Sequence, residues 1–336
     1  MVEVVFKGFH RKFYKCGQLI NGIMAYIETI KKGKKKYYYI TQTVRLGNKF
    51  KKVRWFLGRG EIPKQKLKQV ADLYREKLKQ KVAGIKNIRK IVVLDEETTR
   101  KLNQINQNYK SLVSKISKIE YQVIEKQHLI RFTFNTNAIE GSTITLKETG
   151  HILEDGISPE GKDLREIHEI ENTKKAYDFM RRHKGKINLN FIKKIYYNLT
   201  YNILENDAGR FRRIQVYMGG SKHVPTRASA VSKELSLLMR WVKNHENLHQ
   251  IELAAYVHHF FIAIHPFLDG NGRTGRLLLN FMLMKSGFPP ICIKKEERIK
   301  YTDYLEEARD GNITKFLQFI AEKVFEAHAE FVDTIK

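Results

Sequence analysis

Beyond residue 98 the chain carries little pattern except helix. A long helical run covers 98–136, and the apolar stretch that begins at Leu277 reads as another. The one interruption is 209–224, GRFRRIQVYMGGSKHV, where apolar residues alternate around Gly219-Gly220 as they do in a β-hairpin. The expectation is a mainly α protein: a helical domain over 98–336 with one hairpin set into it.

The first sixty residues read differently. Three segments, 19–30, 36–45 and 50–57, are rich in β-branched and aromatic residues and are separated by the turn signals Lys32-Gly33 and Gly47-Asn48. They predict a small antiparallel sheet, a module over 1–60. Between them and the helical domain, 61–97 is a basic helical connector, with Leu67, Val70, Leu73 and Leu78 spaced as an apolar face.

Charge divides the chain at the same place. Residues 1–90 hold 25 of the 62 Lys and Arg but 5 of the 36 Asp and Glu, so +20 of the net +26 lies there. Lysines 31, 32, 34, 35 and 36 flank Tyr37-Tyr38-Tyr39, and Lys49, Lys51, Lys52 and Arg54 stand beside Trp55. Cations interleaved with aromatics suit a nucleic-acid backbone, so DNA or RNA is an expected partner of residues 1–90. An edge-protected sheet whose lysines only solubilise it is the competing reading.

Composition removes other classes. A hydrophobic share of 42% with six prolines allows a sizeable core and argues against disorder. Cys16 and Cys292 form no CxxC pair, which excludes a cysteine zinc site and a disulfide framework. No apolar run is long enough to cross a bilayer, and the opening residues lack the apolar core of a signal peptide. A cytoplasmic location without membrane association is expected.

The chemistry concentrates in 265–276, HPFLDGNGRTGR. Gly270 and Gly272 flank Asn271, so successive backbone amides can converge on a phosphate at the start of the helix that runs on through Leu277. Arg273 and Arg276 stand in that helix's first turn, where they oppose its dipole unless an anion is bound. Asp269 is the only carboxylate between His265 and Leu279 and is placed to hold Mg²⁺ on phosphate oxygens. His265 is the natural proton acceptor.

His265-Pro266-Phe267-x-Asp269-Gly270-Asn271-Gly272-Arg273-x-x-Arg276 resembles the full signature of the Fic family, HPFx(D/E)GNGRxxR. The resemblance covers about two thirds of the chain and does not extend to residues 1–90. It implies an all-helical domain that transfers AMP from ATP to a Ser, Thr or Tyr hydroxyl of a target protein, a nucleotidyltransferase reaction. His265 would take the hydroxyl proton and Asp269 would hold Mg²⁺ or Mn²⁺. Gly270, Asn271, Gly272 and Arg273 would bind the phosphates, and Arg276 the γ-phosphate. Relatives that transfer phosphate instead carry Lys in place of the second Gly; this chain has Gly272.

Further residues follow from the same resemblance. Thr136-Asn137-Ala138-Ile139-Glu140-Gly141 is similar to the family's inhibitory motif (S/T)xxxE(G/N) in its N-terminal placement, which implies that Glu140 pairs with Arg276 and obstructs ATP. In some relatives this glutamate also positions a water that removes AMP, so Glu140 could serve both reactions. The hairpin at 209–224 corresponds to the flap, with Gly209, Phe211, Arg212, Val216 and Gly219 on the pattern GxYRxxxVxxxG and Phe in place of Tyr. Tyr301 and Tyr304 lie in the segment that covers adenine, although Arg309 stands where relatives often have Asn; packing of both tyrosines in the core is equally compatible. A homodimer is implied by relatives with this arrangement. His258 and His259 do not make a zinc pair with His265, and His258 is expected to pack or orient. The alternative to the enzyme is a nucleic-acid-binding protein whose Fic fold senses nucleotide without turnover.

Overall fold

The computed structural model describes residues 25–33, 35–46, 49–87, 91–204, 206–218 and 223–336. They form two compact units, 1–91 and 92–336.

In the first unit, β1 (Ala25–Lys32), β2 (Lys35–Leu46) and β3 (Lys49–Arg59) make an antiparallel sheet in the order β1-β2-β3. The expected turn Gly47-Asn48 and the expected strand residues 19–24 lie outside the described residues. Alternation along the strands sets the two faces. Ile27 pairs with Ile40 and Ile40 with Trp55, and these residues, with Val53, pack against Ala71, Tyr74 and Leu78 of α1 (Lys64–Asn87). The helix expected as a connector thus shares the core of the sheet. Its apolar stripe is Leu67, Ala71, Tyr74 and Leu78, at strict helical spacing, whereas Leu73 is 76% exposed.

On the other side of β1 lies a buried ion group. Glu28 is 4% exposed and accepts from Arg54 Nε at 2.6 Å, Lys52 Nζ at 3.1 Å and Thr41 Oγ1 at 3.2 Å. Burial alone would raise its carboxyl, but the bonds from Arg54 and Lys52 outweigh that and hold it near about 2. Two of the cations that sequence assigns to a nucleic-acid surface are therefore engaged with a carboxylate of their own sheet.

The second unit is helical: α2 (Glu96–Lys115), α3 (Lys118–Ala138), α4 (Leu146–Glu154), α5 (Leu164–Arg182), α6 (Leu189–Thr200), α7 (Val231–Asn244), α8 (Gln250–Ile264), α9 (Asn271–Lys285), α10 (Arg298–Arg309) and α11 (Thr314–Ile335). The run expected as one helix over 98–136 breaks at Ile116. There Ser117 and Glu120 form a capping box, each side chain bonding the other's backbone N–H, and α3 starts afresh. Helix α8 is buried on nearly every side, as its even apolar content requires, and α9 packs along it. Segment 92–94 is pinned to α8: Leu94 N bonds Glu252 Oε1 at 2.7 Å and Val92 N bonds the Tyr256 hydroxyl at 2.9 Å. No helix among the described residues is long and apolar enough to cross a membrane.

The segment expected as a hairpin adopts no strand pairing among its described residues, and its turn, including Gly219, lies outside them. Side chains join its two arms instead. Arg212, 3% exposed, donates to the carbonyls of Thr226 and, at 2.9 Å, Ile214, and Gln215 Nε2 reaches the carbonyls of Val216 at 3.1 Å and Pro225 at 3.2 Å. The buried Arg212 guanidinium thus occupies carbonyls of both arms that a strand ladder would use.

Candidate active site

Pro266 cannot continue α8 and disfavours helix in the residue before it, so the helix stops at His265. His265 takes a left-handed conformation, φ 51°, one of two non-glycine residues with positive φ among the described residues. A histidine held in so sparse a region marks a position fixed by its surroundings. Its N–H bonds Phe261 O at 3.0 Å, and its carbonyl accepts Arg212 Nε at 2.8 Å, which ties the 209–218 segment to the motif. Arg212 N also bonds Pro266 O at 3.0 Å, and the His223 ring approaches Ala263 O at 3.0 Å.

The loop from 266 to 270 is held by its own side chains. Asn271 Oδ1 accepts from Phe267 N and its Nδ2 donates to Phe267 O, both at 2.9 Å. The side chain of Asn271 is therefore spent on shaping the loop, and any anion must be met by the backbone. Phe267 stacks on Tyr196 with ring centroids 3.6 Å apart, which gives the loop a rigid floor. Gly270, φ 67°, turns the chain into α9 and offers no side-chain cap. The first amides of α9 are thus left for a ligand, and the buried Arg273 Nε also lacks a partner among the described residues.

Helix α3 supplies the opposing wall. Arg276, 3% exposed, donates from Nε to Thr136 Oγ1 at 2.7 Å and from one terminal nitrogen to Thr136 O at 2.9 Å and Glu140 Oε1 at 2.6 Å. Burial would weaken its charge, but the carboxylate of Glu140 holds its pKa above the ordinary arginine value. Arg273 reaches Asn137 Oδ1 at 3.3 Å and Glu169 Oε2 at 3.1 Å. Gly272 lies directly under Glu140: a Cβ at 272 would sit 2.1 Å from Oε1 and 3.0 Å from an Arg276 nitrogen.

Asp269 stands at the open side, where its Oδ1 accepts Gly270 N at 2.6 Å and its Oδ2 faces Arg165 at 2.7 Å. No group of three His, Cys, Asp or Glu among the described residues could hold a metal. A single carboxylate fits Mg²⁺ or Mn²⁺ that arrives with a polyphosphate and keeps oxygens of phosphate and water as its other ligands.

The two tyrosines expected beside adenine part company. Tyr301 is buried under the site; its hydroxyl lies 2.7 Å from His258 Nε2 and its ring 6.0 Å from the Arg276 guanidinium carbon. His258 is thereby an orienting residue. Tyr304 packs on Phe319 and sits beside Lys300 and Lys315. Arg309 pairs with Glu306 and reaches Met218 Sδ at 3.7 Å, which brings α10 to the 209–218 segment.

Burial pushes His265 down to about 4; the Ile262 backbone opposes this, while the charges of Arg212 and Arg309 add to it. At neutral pH the ring is therefore unprotonated and ready to accept a proton. Burial lowers His128 and His259 to about 3 and His258 to about 4. Because these folded values lie below the unfolded value near 6.5, the unfolded chain takes up more protons as pH falls. The melting temperature should accordingly be level above about pH 7 and fall steadily from about 6.5 to 4, by the equivalent of up to roughly 3 kcal/mol per buried histidine at the acid end. Thermal unfolding followed by circular dichroism across that range checks this.

The structure brings together the residues of 265–276 and Glu140 that the sequence singles out. It adds Asn137, Glu169 and Arg165, which sequence alone does not assign to the site because they come from helices more than a hundred residues upstream and carry no local signature; for Asn137, its place inside the 136–141 motif was the available signal.

Residues 186–283 match the model of the Fic/DOC family. Protein adenylyltransferase Fic of Drosophila persimilis is 36% identical over 203 residues, 59% of this chain and 40% of that protein. Its counterpart in Nematostella vectensis is 33% identical over 238 residues, 69% of this chain and 55% of that protein. The chain spans about half the length of the curated relatives it matches. Among solved structures, Fic-1 from C. elegans superposes with a TM-score of 0.65 at 26% identity, covering 80% of this chain and 78% of that one. The loop before α9, the helix that follows it and these relatives agree: residues 186–283 form a domain of the Fic family.

Proposed function

We propose that the chain is a self-restrained protein adenylyltransferase, transferring AMP from ATP to a hydroxyl side chain of a target protein. The observation that carries this is the uncapped start of α9 with buried Arg273 and Arg276 beside it, the second of them held by the Glu140 carboxylate at 2.6 Å. A carboxylate on that guanidinium stands where a terminal phosphate would bind.

His265 takes the proton from the target hydroxyl, whose oxygen then attacks the α-phosphorus, and pyrophosphate leaves. The α9 amides and Arg273 stabilise charge on the phosphates as the bond to pyrophosphate breaks. A divalent ion bound with ATP would be held by Asp269 and would neutralise charge on the phosphate oxygens. Phe211, Arg212 and Val216 shape the segment beside His265 against which a target strand could lie. Relatives named protein adenylyltransferase support the reaction class. The same Glu140 carboxylate, 38% exposed, can also orient a water for removal of AMP from a modified target.

The test is incubation of the full chain with ATP and Mg²⁺, labelled either at the α- or at the γ-phosphate. Transfer of the α-label alone, enhanced in Glu140→Gly, supports AMP transfer. Transfer of the γ-label, or of neither with any divalent metal, overturns it.

The charge of residues 1–90 favours a second role, binding of DNA or RNA, which we assign to the sheet unit. The 336-residue chain should bind duplex DNA or RNA with an affinity that weakens about tenfold or more when salt rises from about 50 to about 200 mM. Deletion of 1–91 should abolish that binding while leaving the labelling reaction in place; a fluorescence anisotropy titration reads both proteins. Equal binding by the deleted protein would remove nucleic acid from the account, and salt-sensitive binding with labelling by neither protein would favour the nucleotide-sensor alternative.

A further inference from the structure

Arg165 opens α5 with its guanidinium across the mouth of the site. It donates to Asp269 Oδ2 at 2.7 Å and, from Nε, to Glu169 Oε1 at 3.2 Å. Arg273 faces the same two carboxylates, 3.1 Å from Glu169 Oε2 and 3.6 Å from Asp269 Oδ2. The four side chains close a ring of alternating charge. Asp269 enters this ring with its other oxygen already bonded to Gly270 N, so both of its oxygens are engaged.

Resting on the adenylyltransferase reading, we infer that Arg165 is a residue of the metal site: a tethered cation that holds Asp269 until a divalent ion displaces it. Arg165 already holds Asp269 Oδ2 at 2.7 Å, so a divalent ion entering there must compete with that guanidinium for the oxygen, and the metal binds against the Arg165 pair. Glu169 makes the displacement reversible. Its Oε1 keeps hold of Arg165 Nε after Asp269 is given up, and its Oε2 keeps Arg273 in place for the phosphates. Arg273 is buried with a second partner in Asn137, whereas Arg165 is 54% exposed and free to swing. The site is thus closed at both ends by its own side chains: Glu140 takes the guanidinium meant for phosphate, and Arg165 takes the carboxylate meant for metal. Neither contact touches the other, so each can be released alone.

The experiment measures the Mg²⁺ concentration that gives half-maximal binding of a fluorescent, non-hydrolysable ATP analogue, at constant ionic strength. The full chain is used with Glu140→Gly, and alone, with Arg165→Gln or with Arg165→Lys added. An exposed ion pair of this kind corresponds to a shift of about fivefold. Arg165→Gln should lower the half-maximal Mg²⁺ concentration by about that factor, Arg165→Lys should lie between it and the parent, and affinity at saturating Mg²⁺ should agree within about twofold. Because the side chain is more than half exposed, its loss leaves the core intact. Identical Mg²⁺ dependence in all three proteins, or a higher requirement in Arg165→Gln, overturns the inference while leaving the adenylyltransferase reading standing. If the parent binds the analogue at no Mg²⁺ concentration, that reading fails and this inference with it.

Discussion

Replacing His265 should reduce transfer of the α-label by about a thousandfold, the middle of the range for loss of a positioned general base. The experiment needs two variants, because His265 sits at φ 51°. Alanine is strained there, whereas asparagine adopts the left-handed region readily. His265→Ala and His265→Asn should therefore be equally inactive although the second melts closer to the parent. If Asn restored activity, the histidine would matter only for the turn. The proton-accepting role has its own signature. In the free chain the ring titrates at about 4, far below the pH at which it must act. The negative charge of a bound triphosphate raises that value, since an adjacent anion favours imidazolium. The acid limb of kcat/KM, which reports the free enzyme, should thus lie at a lower pH than the acid limb of kcat, which reports the complex.

The second large effect has the opposite sign. Glu140→Gly should raise labelling by about ten- to a hundredfold, the equivalent of one charge-assisted bond of about 1.5–3 kcal/mol no longer competing with substrate. Arg276 keeps both of its bonds to Thr136 in this variant, so its guanidinium stays aimed at the site. Glu140→Gln is the informative control, because it removes the charge and keeps the volume. A gain much smaller than that of Gly would mean that bulk contributes to the obstruction; an equal gain would assign it to charge. No gain in either variant, with His265 intact, would remove Glu140 from the regulation of the enzyme. Measuring initial labelling rates at several ATP concentrations separates a lowered KM from a raised kcat.

How far the site could be read in advance follows from how each residue reaches it. His265, Asp269, Gly270, Gly272, Arg273 and Arg276 share one turn and one helix start, so their spacing alone fixes their geometry. Asn271 was legible as a member of that turn but not in its task, since only the structure places its amide on both sides of Phe267. Arg165 and Glu169 were illegible because their importance lies in a partner a hundred residues away, and an Arg followed four residues later by Glu is what any exposed helix face contains. The sheet and the helical class were both expected from alternation and spacing. The errors fell where a local signal was outvoted or overlooked: the Ser117 capping box that splits a helix, and Leu73, apolar but one position off the stripe defined by Leu67, Ala71, Tyr74 and Leu78.

Gly272 carries a consequence for variation in the family's signature as it stands here. The volume a side chain would fill at that position is the volume the Glu140 carboxylate fills, 2.1 Å from where a β-carbon would be. Position 272 therefore cannot change without disturbing position 140: any residue larger than glycine at 272 evicts the glutamate and crowds Arg276 at the same stroke. On the proposed reading, a chain that kept the glutamate but lost the glycine would forfeit its restraint and its phosphate pocket together, and the absent β-carbon would be as much a part of the regulatory element as the carboxylate that lies against it.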